Sequence, residues 1–87
     1  MESSKPKLIR RLKIIEGQLR GLQEMIEKNT YCIDVITQTS AVKQALTAVE
    51  DKLMEDHLKS CVIKQIKTGK EKKAQEEILK VYKLKRK

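Results

Sequence analysis

The sequence of 87 residues contains no Phe and no Trp, and Tyr31 and Tyr82 are its only aromatic residues. A chain this short buries a modest fraction of its surface, and without large aromatic side chains it has little material for a core of its own. We therefore expect the missing burial to come from association with another subunit.

The chain also lacks a signal peptide and any apolar run that approaches the roughly 20 residues of a membrane-spanning helix. We therefore expect a cytoplasmic protein with no membrane association. In that compartment, the two cysteines are expected to be thiols for metal or redox chemistry rather than a structural disulfide. The sequence has no Gly-rich phosphate loop and no Cys–His pair with an obvious orienting carboxylate, so we expect neither an enzyme nor a small-molecule substrate.

The charge is strongly unbalanced, with 20 Lys and Arg residues against 12 Asp and Glu residues and a net charge of +8. This balance favours polyanionic partners, with nucleic acid first and an anionic membrane surface second. A basic but inert surface remains the alternative, because charge alone does not identify a partner.

Apolar residues recur in alternating steps of four and three, the spacing of a helix face packed against other helices. The pattern predicts helix 1 over about 5–28, helix 2 over about 31–67 and helix 3 over about 71–83, in one all-helical domain spanning 1–87. The stripes consist of Leu8, Leu12, Ile15, Leu19, Leu22 and Ile26 in helix 1, Val35, Thr39, Val42, Leu46, Val49 and Leu53 in helix 2, and Ile78, Leu79, Val81 and Tyr82 in helix 3.

Two features of these helices point to packing against further helices. Helix 2, at about 36 residues and about 54 Å, is too long for the other two helices of one chain to cover. Helix 1 contains Gly17 and Gly21, each of which costs about 1 kcal/mol relative to Ala. We interpret these glycines as positions of close helix packing rather than as a ligand site.

The single histidine and both cysteines lie at the two ends of helix 2. His57 and Cys61 are four residues apart and share a helix face, whereas Cys32 lies 25 residues before His57, or about 37 Å along a continuous helix. One straight helix cannot bring all three to one ion, but two antiparallel copies can. Small residues that permit close approach surround the midpoint, namely Ala41, Ala45 and Ala48. We predict a symmetric dimer with two sites, each taking Cys32 from one chain and His57 and Cys61 from the other.

Two thiolates and one imidazole form a donor set that suits Cu(I) or Zn(II). Zinc usually takes four ligands, so three ligands without an evident fourth fit trigonal Cu(I) better, although water or an acidic residue could complete a zinc site. On spacing alone, a surface histidine with two small buried cysteines is an equal alternative. A single antiparallel dimer would bring all three residues together, and this favours the metal site over the alternative.

Four stretches of the sequence are informative together, namely Arg-Leu-Lys-Ile-Ile-Glu-Gly-Gln-Leu-Arg-Gly at 11–21, Tyr-Cys-Ile-Asp-Val at 31–35, Gln-Thr-Ser-Ala-Val at 38–42 and His-Leu-Lys-Ser-Cys at 57–61. Together they resemble the copper-sensing operon repressors of the CsoR family and their nickel/cobalt-, formaldehyde- and persulfide-responsive relatives. The likeness covers nearly the whole chain. It implies an all-α protein of three helices, an antiparallel four-helix-bundle dimer that forms a homotetramer as a dimer of dimers, and repression without a helix-turn-helix.

The resemblance also implies roles for individual residues. A Cys-His-Cys set marks the Cu(I) sensors, so Cys32, His57 and Cys61 are implied ligands of one Cu(I) per chain. The persulfide branch lacks the histidine, the nickel/cobalt branch has more histidines, and the formaldehyde branch lacks the second cysteine. Tyr31 and Glu77 match residues that link the site to its surroundings. The alternatives are interface packing for Tyr31 and a solvated charge for Glu77.

The function implied by this resemblance is a Cu(I)-responsive repressor. The copper-free tetramer is expected to bind operator DNA, and Cu(I) is expected to lower its DNA affinity and derepress copper-resistance genes. Arg11 is the leading DNA contact, followed by Arg10, Lys13 and Arg20. One alternative is the same scaffold sensing zinc or a thiol-reactive signal, and another is a copper storage or chaperone protein that does not bind DNA.

Overall fold

A computed structural model describes residues 4–86, and this part of the chain is helical without any strand. Its elements are α1 (Lys5–Glu27), α2 (Cys32–Asp56), a π-helical turn (His57–Cys61), α3 (Val62–Lys67) and α4 (Glu71–Lys85). α2, the π-helical turn and α3 follow one another without a break, so together they form the long middle helix of three. The all-α class predicted from the sequence is confirmed, and the dimer and tetramer stay predictions.

The first and middle helices end in the same way, with one residue in the left-handed backbone conformation. That residue is Asn29 after α1, with φ of 56°, and Gly69 after α3, with φ of 76°. In both places the next amide donates to a carbonyl five residues earlier, which is the Schellman arrangement. The two bonds run from Thr30 N to Met25 O at 2.9 Å and from Lys70 N to Gln65 O at 2.7 Å.

The chain divides into two compact units, Met1–Leu53 and Met54–Lys87, and the boundary falls within α2. The core of the first unit joins α1 to α2 through Leu8, Ile15, Val42 and Val49, each at most 7% exposed. These are alternate members of the two predicted stripes. The stripe residues between these core positions are more exposed to solvent, and Leu12 and Leu46 are each 42% exposed. A single chain therefore uses about half of each stripe for its own core.

In the second unit, α4 contacts α3, and α3 contacts the π-helical turn. Ala74 is the buried centre of α4, with 2% exposure, and Ile78 and Val81 are half-buried on the same side. Two residues of the predicted apolar side of helix 3 are instead exposed, Leu79 at 54% and Tyr82 at 59%. They lie beyond the edge of the strip that one neighbouring helix can cover.

None of the described helices combines the length and the low polarity that crossing a membrane requires.

Candidate metal centre

Cys32 is the first residue of α2 and an exposed free thiol. Tyr31 directly precedes the helix and is 68% exposed, so a single chain gives its ring little to pack against. The backbone carbonyl of Tyr31 accepts hydrogen bonds from the amides of Asp34 at 3.0 Å and Val35 at 3.3 Å, which begins the helix at this point. Both side chains are thus presented at the start of the long middle helix.

His57 and Cys61 are the first and last residues of the π-helical turn. The turn is closed by the amide of Val62, which donates to the carbonyl of His57 five residues earlier, rather than four as in an α-helix. His57 is half-buried, and Cys61 is an exposed free thiol. Isolated π-helical turns are rare and occur frequently at functional sites. The turn therefore singles out this pair independently of residue type.

Three polar contacts involve side chains of this turn. The hydroxyl of Ser60 donates to the carbonyl of Asp56 at 2.8 Å, and its oxygen lies 3.9 Å from the sulfur of Cys61. The ammonium of Lys59 donates to a carboxylate oxygen of Glu55 at 2.8 Å. This hydrogen bond, together with the charge of Glu55, raises the pKa of Lys59 above its ordinary 10.5. Lys59 is therefore a stable positive charge beside the two candidate ligands.

Glu77 is held by a residue that the sequence did not single out. The side-chain amide of Gln65 donates to a carboxylate oxygen of Glu77 at 2.7 Å, and both side chains are half-buried. Gln65 lies four residues after Cys61 and Glu77 lies in α4. The bond thus connects α4 to the helical segment that follows the candidate ligands. Its only sequence signal is the continuation of the four-residue spacing from His57 through Cys61 to Gln65.

The structure brings together one pair of the three candidate ligands. His57 and Cys61 share one turn, while no group of three or more His, Cys, Asp or Glu residues within 4–86 is placed to hold a metal ion. The donor types nevertheless fit a soft ion, because two free thiols can supply thiolates and the imidazole adds a nitrogen. Completing the set with Cys32 of a second copy stays a prediction.

The predicted DNA contacts all lie on α1. Arg10, Lys13 and Arg20 are exposed, whereas Arg11 is half-buried. Arg11 borders an open groove of about 210 Å³ between α1 and α2, whose other lining residues are Ile14, Ile15, Gln18, Ala45 and Ala48. Arg11 therefore differs from the other three in having an apolar groove along one side.

Comparison with known proteins identifies the family. The model of a family described as metal-sensitive transcriptional repressors matches residues 4–84. The chain belongs to this family. Its members are transcriptional repressors rather than enzymes, so the expectation of a non-enzymatic regulator agrees with the family.

Several copper sensors are similar to this member of the family. The copper-sensing transcriptional repressor CsoR of Bacillus subtilis (strain 168) is 46% identical over 84 residues, covering 94% of this chain and 83% of the relative. RicR of Mycobacterium tuberculosis (strain ATCC 25618 / H37Rv), also a copper-sensing transcriptional repressor, is 48% identical over 60 residues, covering 69% of this chain. The match spans 62% of RicR, less than two thirds of its length.

A solved structure shows the same fold. The crystal structure of the copper-sensing repressor CsoR with Cu(I) from Geobacillus thermodenitrificans NG80-2 matches with a TM-score of 0.92 and 40% sequence identity. The match covers 100% of this chain and 91% of the other.

Proposed function

We propose that this chain is a Cu(I)-responsive transcriptional repressor that acts in the cytoplasm. One observation carries the proposal: the single histidine and the second cysteine begin and end one π-helical turn, in a chain similar to copper sensors. The proposed ligands are Cys32, His57 and Cys61, with one Cu(I) per chain. Copper would supply bonds that join two copies of the chain, because each site would take Cys32 from one copy and the other two ligands from its partner.

The arrangement of the chain supports a site shared between copies. Cys32 begins the long middle helix, while His57 and Cys61 lie in its last third. Alternate apolar residues on α1 and α2 are exposed, which leaves a second copy an apolar stripe to cover. Tyr31 and Glu77 belong to this proposal as residues that link the site to its surroundings. Tyr31 directly precedes Cys32, and Glu77 accepts a hydrogen bond from Gln65, four residues after Cys61.

DNA is the proposed partner of the copper-free protein, which we expect to be a homotetramer formed from two homodimers. Arg10, Arg11, Lys13 and Arg20 on α1 are the proposed contacts. The basic residues are unevenly distributed, however, because segment 54–87 has 11 Lys and Arg against five acidic residues, whereas 1–53 has nine against seven. Attraction to phosphate therefore arises largely from the second segment, while α1 supplies arginines suited to specific contacts.

Release from DNA follows from linkage between the two binding events. Protein with Cu(I) bound would have a lower affinity for the operator, and operator DNA must then weaken copper binding by the same factor. The repressed genes would be those for copper resistance. The proposal requires that the protein adopt two conformations that differ in DNA affinity. Cu(I) must bind more tightly to the conformation with the lower DNA affinity.

Anaerobic Cu(I) titration of the reduced protein tests the metal site. We expect one copper per chain, with two sulfur neighbours and one nitrogen neighbour by X-ray absorption. Cys61→Ser is expected to abolish tight binding, and Lys59→Gln, in the same turn, should retain it as a matched control. A shell containing only sulfur would remove His57 from the proposed ligands. If zinc bound as tightly as Cu(I) and a fourth protein ligand completed its coordination, the assignment to copper would be overturned.

Mixed dimers test whether two copies share the site. Cys32→Ser and Cys61→Ser each leave a homodimer without a complete site, whereas a mixed dimer regains one complete site from its two intact halves. After co-refolding an equal mixture, random pairing predicts recovery of about one quarter of the wild-type copper content. No recovery, with mixed dimers demonstrated by mass spectrometry, would show that one chain supplies the whole site.

Operator binding measured by fluorescence anisotropy tests the regulatory step. Copper is expected to weaken binding. Arg11→Gln is expected to lower the slope of log affinity against log salt by about 1 for each copy of the chain whose Arg11 contacts a phosphate. Lys28→Gln, at the end of α1, serves as the charge-matched control and should change the slope less. An operator affinity that copper leaves unchanged would contradict the repressor proposal and favour copper storage.

A further inference from the structure

The bond between Gln65 and Glu77 joins two helices of the second unit through side chains. Gln65 Nε2 donates to Glu77 Oε1 at 2.7 Å across 12 residues of sequence. The acceptor is a carboxylate, and hydrogen bonds to ionised groups are shorter and stronger than neutral ones. Because both side chains are half-buried, water competes for the bond less than it would on an open surface.

The other end of the Gln65 amide has no such partner. Its Oε1 is buried, and no donor in the described part of the chain reaches it. A buried carbonyl oxygen without a donor costs free energy, and exceptions of this kind call for an explanation. The side chain is therefore bonded on one side only. A shift of α3 that brought Oε1 to a donor would be favourable, and it would also move the amide relative to Glu77.

Gln65 is also close in sequence to the proposed copper ligands. α3 begins at the residue directly after Cys61 and has six residues, so Gln65 lies one helical turn beyond that ligand. α3 contacts both the π-helical turn and α4. A change in the direction of the π-helical turn must therefore move Gln65, because no flexible loop separates the two.

We propose that Gln65 is a positioning residue that transmits the state of the metal site to α4 through Glu77. This inference rests on the proposed function, since it assigns a path from His57 and Cys61 to the rest of the second unit. Without copper, the amide of Gln65 holds Glu77 and keeps α4 in the conformation that binds DNA. With the ligands engaged, the π-helical turn and α3 shift together, the bond to Glu77 weakens, and α4 is released from that conformation.

The test compares Gln65→Met with Gln75→Met. Methionine keeps the length of the side chain but removes both ends of the amide, and Gln75 is an exposed glutamine of α4, two residues before Glu77. Operator affinity is measured with and without Cu(I), and copper affinity is measured separately by competition with a chelator. We expect Gln65→Met to reduce the copper-induced loss of operator affinity by at least tenfold, with copper affinity within about threefold of wild type. Gln75→Met should match wild type.

Glu77→Gln is a second, milder variant, because it keeps the shape and an acceptor oxygen but removes the charge. It should reduce the copper-induced loss of operator affinity less than Gln65→Met does. The double variant should show the same copper-induced loss as Gln65→Met alone, as expected of residues that act as a pair. A readout without metal comes from NMR of the copper-free protein. There the side-chain amide protons of Gln65 should exchange with solvent more slowly than those of Gln75, and Glu77→Gln should speed their exchange.

The possible outcomes separate this inference from the function on which it rests. If the wild type itself does not release DNA with copper, the proposed function fails. If the wild type releases DNA and Gln65→Met releases it equally well, the inference about Gln65 is overturned. A lower melting temperature of Gln65→Met with an unchanged copper effect would also overturn it, because the bond would then only stabilise the fold.

Discussion

Replacing both interior glycines of α1 by alanine should stabilise the protein. An added Cβ at Gly17 or Gly21 would meet no atom within 4 Å beyond the helix's own neighbouring backbone, counting the described residues of one chain. The close packing that the sequence suggested for these positions is therefore not made with α2 of the same chain. Each glycine in a helix interior costs about 1 kcal/mol relative to alanine, so the double variant Gly17→Ala/Gly21→Ala should gain about 2 kcal/mol.

In a domain of this size, 1 kcal/mol corresponds to a change in Tm of about 4–8 °C, so we expect the double variant to melt about 8–16 °C higher. The measurement is thermal unfolding of the copper-free protein, followed by circular dichroism at several protein concentrations. Gly69→Ala is the matched control. The φ of 76° at Gly69 is unfavourable for alanine, so this variant should lose about 1–2 kcal/mol.

The opposite result for the double variant has two distinct meanings. A lower Tm with weaker association by sedimentation would place the glycines against a second copy of the chain, where the added methyl groups obstruct contact. A lower Tm with unchanged association would refute the reasoning, because it would show that α1 itself does not tolerate alanine at these positions.

Three further changes test other parts of the structure. Ile15→Ala should destabilise the protein by about 2–5 kcal/mol in urea unfolding, because Ile15 is 4% exposed at the centre of the α1–α2 core, and a loss below about 1 kcal/mol would contradict that placement. Asn29→Ala should cost about 1–2 kcal/mol and Asn29→Gly nothing, since φ is 56° there, and equal stability of the two variants would argue against the left-handed conformation. The raised pKa of Lys59 means that stability from its pair with Glu55 is present at neutral pH and is lost only as the pH rises through the folded pKa, above 10.5. Lys59→Ala should therefore alter the alkaline limb of a Tm-versus-pH curve and hardly change Tm at pH 7, because exposed ion pairs contribute little.

The main elements of the fold follow from local sequence signals. The steps of four and three predicted which faces of α1 and α2 would pack, and Ile15 and Val42 are buried there. Gly69 lies just after the middle helix with a φ of 76°, which is a position where glycine is the typical residue because it adopts a positive φ without steric cost. Periodicity does not distinguish a stripe covered by one helix from a stripe covered by two, and for this reason the exposure of Leu12 and Leu46 could not be read from it.

The candidate site was only partly predictable. Spacing placed His57 and Cys61 on one face, but nothing in the sequence indicated the π-helical turn, because it contains neither Gly nor Pro. The bond between Gln65 and Glu77 depends on how α4 packs against α3, and sequence spacing within one helix holds no information on that packing. Contacts between helices and small changes in helical winding are tertiary properties, which local patterns do not specify.

Anyone transplanting this site into another helical protein would have to copy the number of residues in its turn as well as their identity. The bond from Val62 to His57 accommodates one residue more than a regular α-helical turn. The same histidine and cysteine grafted onto an ordinary α-helix would keep their spacing in sequence. The side chains after the turn would nevertheless be rotated around the helix axis by one residue position relative to this protein. Gln65 would then no longer reach Glu77. Such a graft could bind an ion and still convey nothing to the rest of the molecule.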